Sequence, residues 1–105
     1  MDKAAINEII AYLKQSLIKH GIHVDSIAIF GSALSEKMGK DSDIDIIIIS
    51  SDFQNLDLFE RARLTMKPEI ETLKRFKIPM DVINLSPEEY NKSNLKIFYR
   101  SKIVA

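Results

Sequence analysis

The sequence predicts a single α/β domain, and three observations support that prediction. Segments with helical apolar spacing alternate with short β-branched apolar runs along the chain. The length of 105 residues suffices for one hydrophobic core but not for two ordinary domains. The hydrophobic content of 46% and the charged content of 29% are typical of globular proteins. We therefore expect one domain over residues 1–105.

The first half of the chain predicts a helix, a strand, a short helix and a second strand. Residues 4–20 carry isoleucines and leucines at helical spacing, and a glycine follows. Residues 26–30 form a short apolar run that ends at Gly31, which predicts a buried strand. Residues 33–38 contain no helix breaker and predict a brief helix. Residues 43–49 are β-branched and too few for an ordinary helix, which predicts a central strand.

The second half predicts a helix, a strand and a final helix. Residues 57–76 have helical apolar spacing, but Pro68 lies inside them, so we expect a kink or a break there. Residues 79–85 predict a third strand. Residues 86–89 then combine a serine cap, a proline in the first turn and a glutamate that completes a capping box. We expect this last helix to continue toward Tyr99.

Composition excludes several classes of site and favours a cytoplasmic protein. The chain has no cysteine, which excludes disulfides, thiol catalysis and cysteine-zinc sites. Its apolar runs, including residues 46–49, are at most five residues long and far too short to span a bilayer, and the N-terminus lacks a signal-peptide core. A net charge of zero argues against a nucleic-acid coat protein, although not against a nucleotide substrate. We expect no membrane association.

The balanced charge is unevenly distributed along the chain. Residues 1–60 hold 5 basic and 10 acidic side chains, whereas residues 61–105 hold 10 basic and 5 acidic side chains. The two parts therefore carry −5 and +5. This asymmetry would allow a homo-oligomer, but it is also what solvated surfaces alone produce.

Two aspartates at the start of the second strand carry the main chemical signal. Alternate residues of a strand point to the same face, so Asp43 and Asp45 should project together while Ile44 points into the core. Neighbouring carboxylates repel each other unless a cation lies between them. Magnesium is the expected cation, because it takes oxygen ligands from carboxylates and phosphates. The alternative interpretation is a solvated strand edge with two acids.

Two further features complement this pair. The glycine of Gly31-Ser32 allows close approach of the backbone to a ligand, and free N–H groups at a helix start favour a phosphate. Asp81 lies in another apolar strand, where a lone charge is costly to bury. If that strand lies beside the second one, Asp81 completes a triad that can hold a second metal or accept a proton. A salt-bridged strand aspartate is the alternative.

These residues together carry a family resemblance. Phe30-Gly31-Ser32, ten intervening residues, Ser42-Asp43-Ile44-Asp45 and a later Asp81 resemble the minimal nucleotidyltransferase branch of the DNA polymerase β superfamily. The resemblance covers roughly residues 26–85. It implies a nucleotidyltransferase-like α+β core, with a small mixed β-sheet flanked by helices. The implied activity is Mg²⁺-dependent transfer of a nucleoside monophosphate, AMP above all, from a nucleoside triphosphate to a hydroxyl.

The resemblance also implies roles and partners. It assigns nucleotide binding to Gly31, Ser32 and Ser42, and both catalysis and metal binding to three carboxylates: Asp43, Asp45 and Asp81. ATP is the expected nucleotide. Small members of this branch are similar to antitoxins that bind, and can modify with AMP, a helical partner of the HEPN type.

One segment departs from the family pattern and keeps a second function open. The usual Arg-Ala-Arg-Gly-like run after glycine-serine is replaced by Ala33-Leu34-Ser35-Glu36, which contains no arginine and no second glycine. The alternative prediction is therefore a binding module of the same fold, with weak or absent catalysis, that neutralises a partner by contact.

Overall fold

The computed structural model of the chain describes residues 3–31, 43–93 and 101–105. These ranges contain three helices and four strands, in the order α1 Lys3–Lys19, β1 Ser26–Phe30, β2 Ile44–Ile49, α2 Leu58–Phe76, β3 Met80–Leu85, α3 Pro87–Lys92 and β4 Lys102–Ile103. A 3₁₀ turn, Ser51–Phe53, follows β2. Within the same ranges, no helix combines the length and the apolar character that crossing a bilayer requires.

The four strands form one mixed sheet in the order β3-β2-β1-β4. β2 pairs in parallel with β3 and antiparallel with β1, and β1 pairs antiparallel with β4. β2 is central because its isoleucines are apolar on both faces, so each must be covered. Ile44, Ile46, Ile47 and Ile48 are all fully buried. The small mixed sheet flanked by helices confirms the predicted fold class.

The two faces of the sheet are covered differently. On one face, Ile44, Ile46 and Ile48 of β2 join the core that α1 completes with Ile9 and Leu13. On the other face, a smaller cluster gathers Ala28, Ile47 and Ile49 against Tyr90 of α3. The first face therefore holds most of the core. The second face carries every odd-numbered position of β2, including the one occupied by Asp45.

Of the predicted kink or break at Pro68, the break is wrong, because α2 runs continuously through Pro68 from Leu58 to Phe76. The proline ring is fully buried, so packing offsets part of the cost of the missing N–H. The carbonyl of Pro68 also accepts a hydrogen bond of 2.8 Å from the hydroxyl of Thr72. At the start of the helix, Asp57 and Glu60 form a reciprocal capping box. Tertiary packing and end capping thus outweigh the local helix breaker.

The end of the chain also differs from prediction. α3 begins with the predicted capping box but ends at Lys92, because Ser93 has an extended backbone with φ −79° and ψ 153°. Residues 94–99 of the predicted helix, like the short helix predicted over 33–38, lie outside the described residues. The unpredicted strand β4 then lies beside β1. Two residues are too few for a periodic pattern, so the sequence carries no strand signal there.

Candidate active site

Three strand ends meet at one edge of the sheet. β1 runs antiparallel to β2, and β3 runs parallel to β2. The end of β1 and the beginnings of β2 and β3 therefore lie at the same edge of the sheet, with β2 in the middle. At this edge Phe30 of β1 is the register partner of Asp45, and Asp45 is the register partner of Asp81. The two aspartates, 36 positions apart in sequence, are consequently direct neighbours on adjacent strands.

The aspartates face away from the main core. Ile44, between Asp43 and Asp45, is fully buried on the side of α1 and α2, as expected. Register partners share a face, so Asp45 and Asp81 both lie on the face that carries α3. Asp43 immediately precedes β2, which begins at Ile44 rather than at the predicted residue 43. Asp43 and Asp81 are exposed, whereas Asp45 is half-buried.

Gly31 has a geometric role beside Asp45. Its φ of +62° lies in the left-handed region of backbone conformation, which residues other than glycine rarely adopt. A Cβ atom at this position would collide with Oδ2 of Asp45. The backbone of Gly31 therefore approaches the carboxylate more closely than any other residue type permits. The close contact observed here is with Asp45, and the predicted approach of this backbone to a ligand stays a prediction.

The carboxylates supply a partial donor set for a metal. Within residues 3–31, 43–93 and 101–105, no three Asp, Glu, His or Cys side chains are gathered as a metal-binding group. Asp45 and Asp81 nevertheless offer carboxylate oxygens from adjacent register positions. Mg²⁺ commonly takes only one or two carboxylates from a protein, with water and substrate phosphates completing its octahedron. The residues present therefore fit a magnesium ion shared with a nucleotide.

The predicted site residues fall into two groups. Four of them, Gly31, Asp43, Asp45 and Asp81, lie at this single edge of the sheet. Ser32 and Ser42 lie outside the described residues. The roles assigned to all six in nucleotide binding, metal binding and catalysis stay predictions.

A buried arginine positions α3 on the same face as the aspartates. Arg61 of α2 donates to the carbonyl oxygens of Leu56 and Asn84, each at 3.0 Å. Two of its nitrogens also contact the carboxylate of Glu89, at 2.7 and 3.2 Å. The hydrogen bond from Arg61 holds the pKa of Glu89 below its usual value. This network ties α2, β3 and α3 together and was not predicted from the sequence.

The structure also reveals an exposed apolar surface on α2. Phe59 of α2 is 82% exposed, and Met66, Ile70 and Leu73 are exposed as well. They line a groove of about 530 Å³ beside Met80 of β3. The helix instead buries a second stripe of helical spacing: Arg61, Thr65, Pro68 and Thr72. The spacing of that stripe was visible in the sequence, but its polar composition concealed its burial.

Comparison with solved structures finds similar folds. Two crystal structures of proteins assigned as nucleotidyltransferases have similar folds. One, from Sulfolobus solfataricus, has a TM-score of 0.60 and 21% identity over 98% of this chain and 87% of that one. The other has a TM-score of 0.54 and 18% identity over 91% of this chain and 97% of that one.

The fold is not restricted to proteins of that description. BolA1 from Arabidopsis thaliana is also similar, with a TM-score of 0.55 and 18% identity over 77% of this chain and 94% of that one. No protein of curated function matches significantly. The family profile described as "Polymerase beta, Nucleotidyltransferase" matches residues 7–105, nearly the whole chain. The protein therefore belongs to the polymerase beta nucleotidyltransferase family.

Proposed function

We propose that this protein is a Mg²⁺-dependent nucleotidyltransferase that moves AMP from ATP to a hydroxyl of a protein partner or a small molecule. The observation that carries the proposal is the register that makes Asp45 and Asp81 neighbours next to Gly31. Like charges at directly adjacent strand positions destabilise a sheet. A cation bound with its nucleotide would lie between these two carboxylates and would make their side-by-side placement favourable.

The proposed roles are those that the family resemblance implies. Gly31 and Ser32 bind the triphosphate, and Asp43 and Asp45 hold the metal. Magnesium, when bound, would neutralise phosphate charge. The acceptor hydroxyl oxygen bonds to the α-phosphorus, the bond from that phosphorus to the bridging oxygen breaks, and pyrophosphate leaves. Asp81, which is exposed at the start of β3, accepts the hydroxyl proton.

The finer proposal concerns the acceptor. The resemblance to minimal nucleotidyltransferases supports a helical HEPN-type partner whose hydroxyl receives AMP, which would make the protein the antitoxin of a toxin–antitoxin pair. Incorporation of labelled AMP into such a partner, dependent on Asp45, is the expected result. Labelling of a small-molecule hydroxyl instead would contradict the antitoxin role while leaving the transferase activity in place.

The proposal is tested by titrating ATP into the protein with and without Mg²⁺. We expect Mg²⁺-dependent binding that Asp45→Asn weakens by about tenfold or more, because a metal ligand is lost. Glu8→Gln is the matched control, since it removes one exposed carboxylate charge from α1, on the opposite face of the sheet. No binding by the wild type at millimolar ATP, or equal binding by Asp45→Asn, would contradict the proposed site.

A contact-only binding module is the second candidate function. It is favoured by the segment Ala33-Leu34-Ser35-Glu36, which lacks the arginines and the second glycine of the family pattern. In that case an Asp43→Asn/Asp45→Asn double variant would neutralise the partner as fully as the wild type does. Loss of neutralisation in this variant, with its fold intact by circular dichroism, would exclude the contact-only function.

A further inference from the structure

The outer face of α2 carries an apolar stripe that the rest of the described chain does not cover. We define the α2 stripe by its five members at helical spacing: Phe59, Ala62, Met66, Ile70 and Leu73. The exposed fractions of Phe59 and Met66 are 82% and 52%. Exposed apolar side chains that form a continuous surface mark a binding site more often than isolated ones do.

The α2 stripe is symmetric about Met66. Phe59 and Leu73 lie seven residues to either side of it, and Ala62 and Ile70 lie four residues to either side. A two-fold axis at Met66 would therefore set an apolar residue of one copy against an apolar residue of an antiparallel second copy at every level. Such self-matching is the requirement of an isologous interface, in which both subunits use the same surface.

The charges beside the α2 stripe obey the same symmetry with opposite signs. Arg63 and Glu69 lie three residues to either side of Met66 and line the same groove. Within the described ranges neither makes a salt bridge, and burial raises the pKa of the Glu69 carboxyl. The two-fold axis brings Arg63 of one copy to the level of Glu69 of the other, within reach of its long side chain. Arg63 of the second copy thus offers a positive charge to Glu69, whose own copy provides no salt-bridge partner in the described ranges.

We propose that two copies of this chain associate through the α2 stripe, with the two α2 helices antiparallel and Met66 at the two-fold axis. A second copy matches both the apolar pattern and the charges, whereas an unrelated helix would need to match both independently. The proposal does not depend on catalysis, because the site aspartates lie on the opposite face of the sheet.

The first test is the oligomeric state of the full chain by sedimentation velocity at about 100 µM, since association depends on protomer concentration. We expect a dimer that Met66→Asp weakens by about tenfold or more, because a charge is placed at the centre of the interface. Ile18→Asp is the matched control, since Ile18 of α1 is 49% exposed and lies outside the α2 stripe. A monomeric wild type, including one that binds only a different protein here, overturns the proposal.

Charge exchange tests the pairing across the interface. Arg63→Glu and Glu69→Arg should each weaken the dimer, because each places two side chains of the same charge opposite each other across the interface. Their combination should restore at least part of the affinity, because opposite charges again meet. A combined variant as weak as the product of the two single effects would overturn the pairing.

A third measurement locates the axis. Because the chain has no cysteine, Met66→Cys introduces a single thiol, which should form an intermolecular disulfide under mild oxidation. Two Cα atoms must come within about 7 Å for this bond. Ile18→Cys should remain unlinked under the same conditions. The proposal would be overturned if the wild type is a dimer but Met66→Cys does not cross-link and Met66→Asp does not weaken association. In that case the interface would lie elsewhere on the protein.

Discussion

At the scale of single residues, a comparison of Gly31 with Gly21 distinguishes two effects of replacing a glycine: an unfavourable backbone conformation and a collision with a neighbouring side chain. Both have positive φ, +62° and +85° respectively, so an alanine at either position adopts a costly conformation. They differ in what a Cβ atom would meet. At Gly31 it would collide with the Asp45 carboxylate, whereas at Gly21 it has nothing within 4 Å.

Gly31→Ala is therefore expected to damage both stability and the candidate site. Gly21→Ala should cost about 1 kcal/mol of the free energy of unfolding, from the conformational penalty alone. Gly31→Ala should cost more and should also weaken Mg²⁺-dependent ATP binding, because the Asp45 carboxylate has to move. Urea denaturation and ATP titration of both variants measure the two effects. Equal results for the two alanines would show that the contact with Asp45 has no consequence.

At the scale of elements, the ion pair between Arg61 and Glu89 joins α2 to α3. Arg61 is buried, with a side chain 7% exposed, whereas Glu89 is 45% exposed. Glu89→Gln keeps the shape of the side chain and an oxygen acceptor but leaves the buried guanidinium without an anion. We expect a loss of about 1 kcal/mol in the free energy of unfolding at neutral pH, smaller than for a fully buried pair because water screens Glu89.

This loss should depend on pH. The pKa of Glu89 is lowered in the folded protein from its usual value of 4.5, chiefly by the hydrogen bond from Arg61. Its stabilising contribution is thus fully present above about pH 4.5 and disappears as pH falls through the lower folded-state pKa. Urea denaturation of wild type and Glu89→Gln should converge in acid. Glu88→Gln, which affects only an exposed pair with Lys92, should change little.

At the scale of the whole molecule, residues 101–105 pair with β1 along one side of the sheet. The N–H of Ile27 in β1 donates to the carbonyl of Ala105 at 3.0 Å, and the carbonyl of Ile27 accepts from the N–H groups of Val104 and Ala105. Ser101 shares a hydrogen bond of 2.6 Å with the hydroxyl of Tyr90 on α3. Residues 101–105 thus cover the strand that would otherwise form an open edge.

Removal of residues 101–105 should therefore destabilise the protein by about 2 to 3 kcal/mol, the sum expected for a few lost hydrogen bonds. It should also cause association that increases with concentration, because the β1 edge is then unpaired. Urea denaturation and light scattering measure these effects. Lys102→Ala, which keeps the backbone pairing and removes only an exposed side chain, should behave like the wild type. A truncated chain of unchanged stability would contradict this role for β4.

Local signals were sufficient for most of the secondary structure. The periodicity of residues 4–20 and the β-branched run after Ile44 predicted α1 and β2, and the cap at Ser86 predicted the start of α3. These signals work because helix periodicity, strand alternation and capping involve neighbours along the chain. The same locality explains the failure at Pro68, where burial of the ring depends on distant residues.

The sequence by itself determined that Gly31, Asp43 and Asp45 belong to strand ends, because their strands are short and clearly bounded. Only the tertiary structure decided that Asp45 and Asp81 are register partners, since pairing β2 with β3 depends on how α2 crosses between them. Tertiary structure alone also decided which stripe of α2 is buried, leaving Phe59 and Met66 exposed. The pairing of β2 with β3 and the choice of the exposed face of α2 depend on contacts between segments far apart in the chain, so local patterns were not sufficient to predict them.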